Sequence, residues 1–526
     1  MATKAGDGTV PSARQVRARA RAEERAGRID RAIAILQEAV ERGPDDWTNV
    51  RMLADLLTRT GERRAANEHY RRLAQNYELD GLDTQAIAVW KRILSNEPEL
   101  ASVHLRLGEL YALAGLRADS RRYCEAALER YRAEVVKVRR FLHMNPELGN
   151  REVETARLIA SRLEPLGFEV RAGVAKTGVV AVLKGGQPGP AVAVRADMDA
   201  LPVQEATNLP YKSLNAGVMH ACGHDVHSSV VLGTALVLHA LRDQLKGSVT
   251  FLFQPSEEGP PEGEDGGADL MVREGALDDP PVRAVFGFHV WPENVGTVLF
   301  APGNVTAAAD TFVIAVKGKS AHGARPHEGI DAVVIAAEIV TALQTVVSRA
   351  ADPTDPAVLT VGTIAGGSRR NIIADRVVLE GTVRTLSEAN QKKVRQLMES
   401  VVRNVTEIYG AGFEFEYKPG NPSVYNNPEL AAAMTPTLVR LLGKDRLLDW
   451  KPQMIAEDFA FMARKAPGLY FFLGVKNPSL PAMAPLHSPQ FSPDERAIPI
   501  GMRVLSHLVI DALEGQSALA SGGPGF

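Results

Sequence analysis

Between Glu134 and about residue 306, short apolar runs alternate with helical stretches. GVVAVLKG, AVAVRAD, SVTFLFQ and AVFGFHV are rich in β-branched and aromatic residues, and helical segments such as SSVVLGTALVLHALRDQL intervene. Strands in such alternation point to an α/β layer domain with a mostly parallel sheet. In such sheets chemistry is expected at the ends of strands.

One stretch in this region concentrates reactive side chains. Met219–Ser229, MHACGHDVHSS, holds one of the two cysteines in the chain and three of its twelve histidines. Cys222 and His224 are too close in sequence to share a helix face, so the spacing predicts a turn on which they converge. Gly223 lets the backbone bend tightly there. A thiolate and an imidazole so placed suit Zn²⁺ or a similar divalent ion. Downstream, QPSEE closes a strand with Glu257 and Glu258, FGFHVW puts His289 at the end of another, and PLHSP sets His487 in a Pro-rimmed loop. Neighbouring strand residues point opposite ways, so the two glutamates could divide roles, one on a metal and one moving protons. Taken singly, a strand-end histidine is more often a satisfied core residue and a Glu-Glu pair is usually solvated. Their gathering in one α/β domain favours a two-metal site, with ions ~3.5–4 Å apart.

The flanking regions have other textures. Residues 16–134 are helical throughout, and Gly27 recurs as Gly61 and Gly81 as Gly115, each at 34 residues, the tetratricopeptide period. The shorter step from Gly61 to Gly81 breaks this rhythm, as if one helix served two repeats. Pro44 and Pro98 follow helices, and such arrays offer a concave surface to a protein partner. The alternative is a plain helical extension that supports the next domain. Cys124 lies in an Ala/Leu helical pattern and is expected to pack as a small hydrophobe. Residues 307–417 follow a β-α-β-β-α-β order, the ferredoxin-like arrangement, inserted into the larger domain, which resumes at 418–514. Residues 1–15 and 515–526 are expected to be disordered. The net charge of −3 gives no reason to expect nucleic acid or an anionic membrane as partner. Two distant cysteines fit a reducing compartment, and MATKAGDGTVPSARQ offers no signal-peptide core. No stretch has the ~18 uninterrupted apolar residues of a membrane span. The expectation is a cytoplasmic protein.

Further motifs make a resemblance specific: LHMNPELG, RADMDALP, MHACGHDVH, FQPSEEG, FGFHV, SAHGARPHEGIDAV, NIIAD, LEGTVRT, AEDFAFM and LHSPQF. In this order, from about Arg139 to Glu514, they resemble the two-metal amidohydrolases of the hippurate hydrolase and indole-acetyl-amino-acid hydrolase group. That group is a branch of the aminoacylase and carboxypeptidase-G-type metallopeptidases. The resemblance does not extend to residues 1–130. It implies that Cys222, His224, Glu258, His289 and His487 bind two divalent ions, Mn²⁺ or Zn²⁺, with Cys222 bridging. It implies Glu257 as general base, with Asp197 and Asp199 fixing ligand orientation. It further implies His322 as oxyanion stabiliser with His327 nearby, Asn371 and Arg384 as substrate-recognising residues, and Glu457 lining the site. In relatives the inserted domain acts as a lid and makes the contact of a homodimer. Ser256, Phe288 and Ala374 depart from the usual Ala, Leu and Pro, and none of these changes removes a ligand. The activity implied is cleavage of N-acyl amino acids. A metallo-dipeptidase or carboxypeptidase is the nearest alternative, and a repeat scaffold with an inactive hydrolase domain is another.

Overall fold

A computed structural model describes residues 12–480 and 482–515. The disorder expected at 1–11 and 516–526 falls outside them, as does the side chain of Cys124. Residues 12–15 are ordered, contrary to expectation. Ser12 accepts the Gln15 N–H while the Gln15 side chain accepts the Ser12 N–H. This reciprocal capping box starts the first helix at Ala13, three residues earlier than composition suggests.

The chain divides into two compact units at Glu134/Val135. The first is built of α1 (Ala13–Arg25), α2 (Ile29–Arg42), α3 (Trp47–Thr60), α4 (Arg63–Leu79), α5 (Asp83–Asn96) and α6 (Ala101–Leu113), and the division falls within α7 (Arg117–Met144). Each helix buries one stripe, as in α2, where Ala32, Ile33, Leu36 and Val40 face the core. The four periodic glycines all follow helix ends with φ between 70° and 90°. A side chain would strain each of these left-handed turns. The broken rhythm corresponds to the single helix α4 between Gly61 and Gly81.

The second unit continues with α8 (Val153–Leu163), β1 (Glu169–Val174), β2 (Gly178–Lys184), β3 (Gln187–Asp197), α9 (His224–Ala240), β4 (Lys246–Gln254), α10 (Gly267–Arg273), β5 (Val282–Asn294), β6 (Val298–Phe300) and β7 (Gly303–Asn304). The inserted region follows as β8 (Ala308–Lys317), β9 (Ala321–His322), α11 (Ala332–Thr345), β10 (Ala357–Gly366), β11 (Ile372–Ile373), β12 (Arg376–Thr385), α12 (Glu388–Ile408) and β13 (Gly412–Asn421). The chain then returns through β14 (Tyr425–Asn426), α13 (Pro428–Leu442), β15 (Leu447–Asp449), α14 (Phe459–Lys465), β16 (Gly468–Lys476) and α15 (Ala497–Glu514).

The large sheet has the order β1-β2-β4-β3-β5-β16-β6-β15. Its centre, β4-β3-β5-β16, is parallel, as the continuous apolar runs suggest. β1 and β2 form an antiparallel hairpin, β2 meets β4 antiparallel, and β6 meets β16 antiparallel. The sheet is therefore mixed. The three residues between β1 and β2 are too few for the crossover a parallel pair needs. In the inserted region β10, β12, β8 and β13 form an antiparallel sheet in that order, with α11 and α12 contributing to one core. Its entry and exit run side by side, with β7 paired to β14. Ala332–Ala350 is long and apolar enough to cross a membrane by length and composition. Here its Ile335, Ile339 and Leu343 are buried in the core of the inserted sheet.

Candidate metal centre

The parallel strands deliver the donors, though not always in the local setting that spacing suggests. Cys222 and His224 were expected on one turn. Instead Gly223 caps α9 and His224 is the first helical residue, with Cys222 just outside. The spacing argument excludes a shared helix face only when both residues are helical. Gly223 has φ 90°, and a Cβ on it would stand 2.5 Å from the Val290 side chain, so this close approach needs glycine. Glu257 and Glu258 do not end β4. That strand stops at Gln254, and Pro255 and the left-handed Ser256 (φ 57°) carry the chain off the sheet into a turn. His289 lies within β5, three residues past its last pairing with β3 at Phe286. His487 takes φ 65°, and its N–H donates to the Ala221 carbonyl at 2.9 Å.

These elements bring the five expected ligands together. Cys222 Sγ lies 3.3 Å from His289 Nε2 and 3.3 Å from His487 Nε2. His487 Nε2 is 3.2 Å from Glu258 Oε1. His224 Nε2 is 4.0 Å from both Glu257 Oε2 and Glu258 Oε1. Two donor triads, Cys222–His224–His289 and Cys222–Glu258–His487, share the one sulfur, with the donor atoms of each triad within 4.8 Å of one another. His224 Nε2 and Glu258 Oε1 are buried without a hydrogen-bond partner. Orphaned lone pairs are costly in a protein interior, and sulfur, imidazole and carboxylate donors in this number fit divalent ions such as Zn²⁺ or Mn²⁺.

The far side of two of the three rings is fixed. His224 Nδ1–H donates to Asp199 at 3.2 Å and His289 Nδ1–H to the Val290 carbonyl at 2.5 Å, which turns both Nε2 lone pairs inward. Asp199 also accepts the Glu258 N–H at 3.0 Å. Burial alone would lower the His224 pKa, but Asp197, Asp199 and Glu258 push it up to about 10. A positive charge is therefore favoured at this point. Burial, and then the charges of Glu457, Asp458 and Glu258, hold the Glu257 carboxyl well above its ordinary range.

Several residues that spacing did not single out support this layer. His227 accepts the Val290 N–H on Nε2 at 2.8 Å and therefore donates Nδ1–H to Asp197 at 2.6 Å. It sits one helical turn from His224, the one local signal that could have found it. Arg195, fully buried, meets Asp197, Glu457 and Asp458 at 2.9 Å each and Gln254 at 2.8 Å. Glu457 also accepts from the Tyr470 hydroxyl and lies with Asp458 beside Glu257. One cation thus offsets several carboxylates under the site.

The remaining expected residues lie elsewhere. His322 on β9 is exposed, and its Nδ1 accepts the Ala324 N–H at 3.0 Å. Asn371 is its neighbour, its carbonyl accepting the Gly323 N–H at 2.8 Å. His327 is exposed near Glu328, and Arg384 is half-buried on β12 opposite Ala309. Among the described residues no hydrogen bond or ion pair joins these four to the cysteine cluster.

Residues 193–511 match Peptidase family M20/M25/M40, and residues 13–56 match a tetratricopeptide repeat. The N-acetyl-L-cysteine deacetylase of Bacillus subtilis is 38% identical over 69% of this chain and 85% of its own length. Thermostable carboxypeptidase 2 of Saccharolobus solfataricus is 38% identical over 72% of this chain and 94% of its own. The crystal structure of the Bacillus subtilis YXEP protein, described as a dinuclear metal-binding peptidase, aligns at 35% identity over 73% of this chain and 99% of its own, with TM-score 0.65. The chain belongs to the M20 family of metal-dependent hydrolases that act on amides, and carries a tetratricopeptide segment ahead of the hydrolase.

Proposed function

We propose that the protein hydrolyses N-acyl amino acids, releasing a carboxylic acid and an amino acid. The observation that carries this reading is the pair of donor triads sharing Cys222 Sγ, with the Glu257 carboxyl beside them. In it Cys222, His224, Glu258, His289 and His487 hold two divalent ions. Such a pair supplies Lewis acidity and lowers the pKa of water toward ~7. Glu257 takes the proton of the attacking water and returns it to the leaving nitrogen. His322 stabilises the oxyanion, with His327 beside it, and Asn371 and Arg384 recognise the substrate. A guanidinium can grip an α-carboxylate with two parallel hydrogen bonds. Glu457 lines the floor. His322 and Arg384 belong to the inserted domain, so they join the site by closure of that domain or from a second subunit of a homodimer. The repeats engage a protein partner, and the enzyme works in the cytoplasm.

The N-acetyl-L-cysteine deacetylase relative supports the N-acyl reading. The carboxypeptidase relative supports a second one, cleavage of a peptide bond. A scaffold with an inactive hydrolase domain is disfavoured, because all five donors and Glu257 are present. Amine release from N-acetyl- and N-benzoyl-amino acids, beside matching dipeptides, with and without chelator, separates the readings. Chelator-sensitive release from the acyl panel supports the first and release only from dipeptides the second. No release with two ions bound overturns both.

A further inference from the structure

The buried carboxylate of Glu152 takes no part in the donor cluster, yet it holds the backbone that presents it. Glu152 is the N-cap of α8, but its side chain does not cap that helix. Glu147 does so instead, accepting the Glu154 N–H at 3.1 Å and the Thr155 N–H at 2.8 Å. Those are the amides an N-cap side chain normally satisfies. Relieved of that role, Glu152 turns inward, fully buried. One oxygen accepts the Ser256 N–H at 2.8 Å and the other the Thr177 hydroxyl at 2.6 Å.

Ser256 is the residue that most needs holding. It is a non-glycine residue at φ 57°, and it directly precedes Glu257 and Glu258. Such a conformation is strained and persists only where the surroundings impose it. Gly149 closes on it as well, since a Cβ there would stand 2.7 Å from Ser256 Oγ. The same short segment grips the far end of the loop. Asn150 Nδ2 donates to the Asp265 carbonyl at 2.9 Å and to Glu264 at 3.1 Å, and Arg151 pairs with Glu264 at 2.6 Å.

We infer that Glu152 is a positioning residue for the reaction: by hydrogen-bonding the Ser256 amide it fixes the left-handed turn that aims Glu257 at the water and Glu258 at the metal. The inference rests on the proposed roles of those two glutamates. What Glu152 supplies is reach and an acceptor oxygen, not charge.

The test compares Glu152→Gln, which keeps reach without charge, with Glu152→Asp, which keeps charge but falls a methylene short. Two readouts are taken on the full chain: Mn²⁺ or Zn²⁺ affinity by competition with a chromophoric chelator, and kcat and KM separately. Glu152→Gln is expected to stay within about threefold of wild type in both, whereas Glu152→Asp should lose ~10²-fold in kcat and ~10–100-fold in metal affinity with KM little changed. If Glu152→Asp matches wild type, or Glu152→Gln is the more damaged of the two, the inference is overturned. The metal readout does not depend on the substrate. Wild-type protein that binds two ions but cleaves no amide would sink the functional reading and leave this inference to be decided by affinity alone.

Discussion

The cysteine cluster and the inserted region contribute to one proposed site in opposite ways. In the cluster, His224 and His289 each have their outer nitrogen committed to an acceptor, and the turn bearing Glu258 is tied through its own amide. In the inserted region, His322 sits on the short strand β9 outside that region's main sheet, where its ring is exposed and held by one backbone amide from two residues away. The contrast teaches where preorganisation is located. The donors proposed for the divalent ions are already gathered, those of each triad within 4.8 Å of one another, which is the kind of preorganisation that lets electrostatic stabilisation act without reorganisation. The residues proposed to meet the oxyanion and the carboxylate wait on a movement or a partner, which couples catalysis to substrate capture.

The contrast can be broken most severely at the cluster. Exhaustive chelation should abolish turnover, and refilling the site to 100–1,000 times Kd should restore about 3–4 kcal/mol of stability, read as a rise in melting temperature. A chelated enzyme that stays fully active would remove the basis for the cluster's role. Glu257→Gln should lower kcat by ~10²–10⁴-fold with both ions retained, checked by metal analysis of the purified variant. Wild-type kcat would mean another group moves the proton. His322→Ala sharpens the comparison from the other side, with kcat down ~10²–10³-fold but metal content and melting unchanged. Loss of metal in that variant would place His322 in the wrong half of the site. The smallest effect is expected for Arg384→Lys, which replaces a two-pronged grip by a point charge. KM should rise about tenfold for substrates with a free α-carboxylate and stay level for amides without one.

Much of this arrangement was legible from spacing, and the exceptions have physical reasons. The donors stood out because thiol and imidazole are scarce and sat close to strand-like runs. Their local settings were harder to read, since the start of α9 at His224 depends on the left-handed Gly223 and the turn at Glu257 on the left-handed Ser256. Backbone reversals of that kind leave little trace in hydrophobic pattern. Arg195 stands in the RADMDALP motif, but its place under the site was not readable, because one of its partners, Asp458, is 263 residues away and no local period links them. The inserted β-α-β-β-α-β order was legible because its main elements carry an alternation or a helical stripe, as β13 and α12 do, whereas the two-residue strands β9 and β11 are too short to leave one. The antiparallel edges of the large sheet escaped because the pattern of burial does not report strand direction.

The tie between His487 and Ala221 has a consequence for how the protein is made. Cys222 and His487 are 265 residues apart, and the whole inserted domain is synthesised between them. A chain emerging from the ribosome presents Cys222, His224, Glu258 and His289 long before His487 exists, and domains fold in the order they emerge. A nascent chain can therefore offer an ion only part of the donor set, and closing so long a loop contributes slowly to assembly. The complete proposed donor set exists only once His487 has been synthesised.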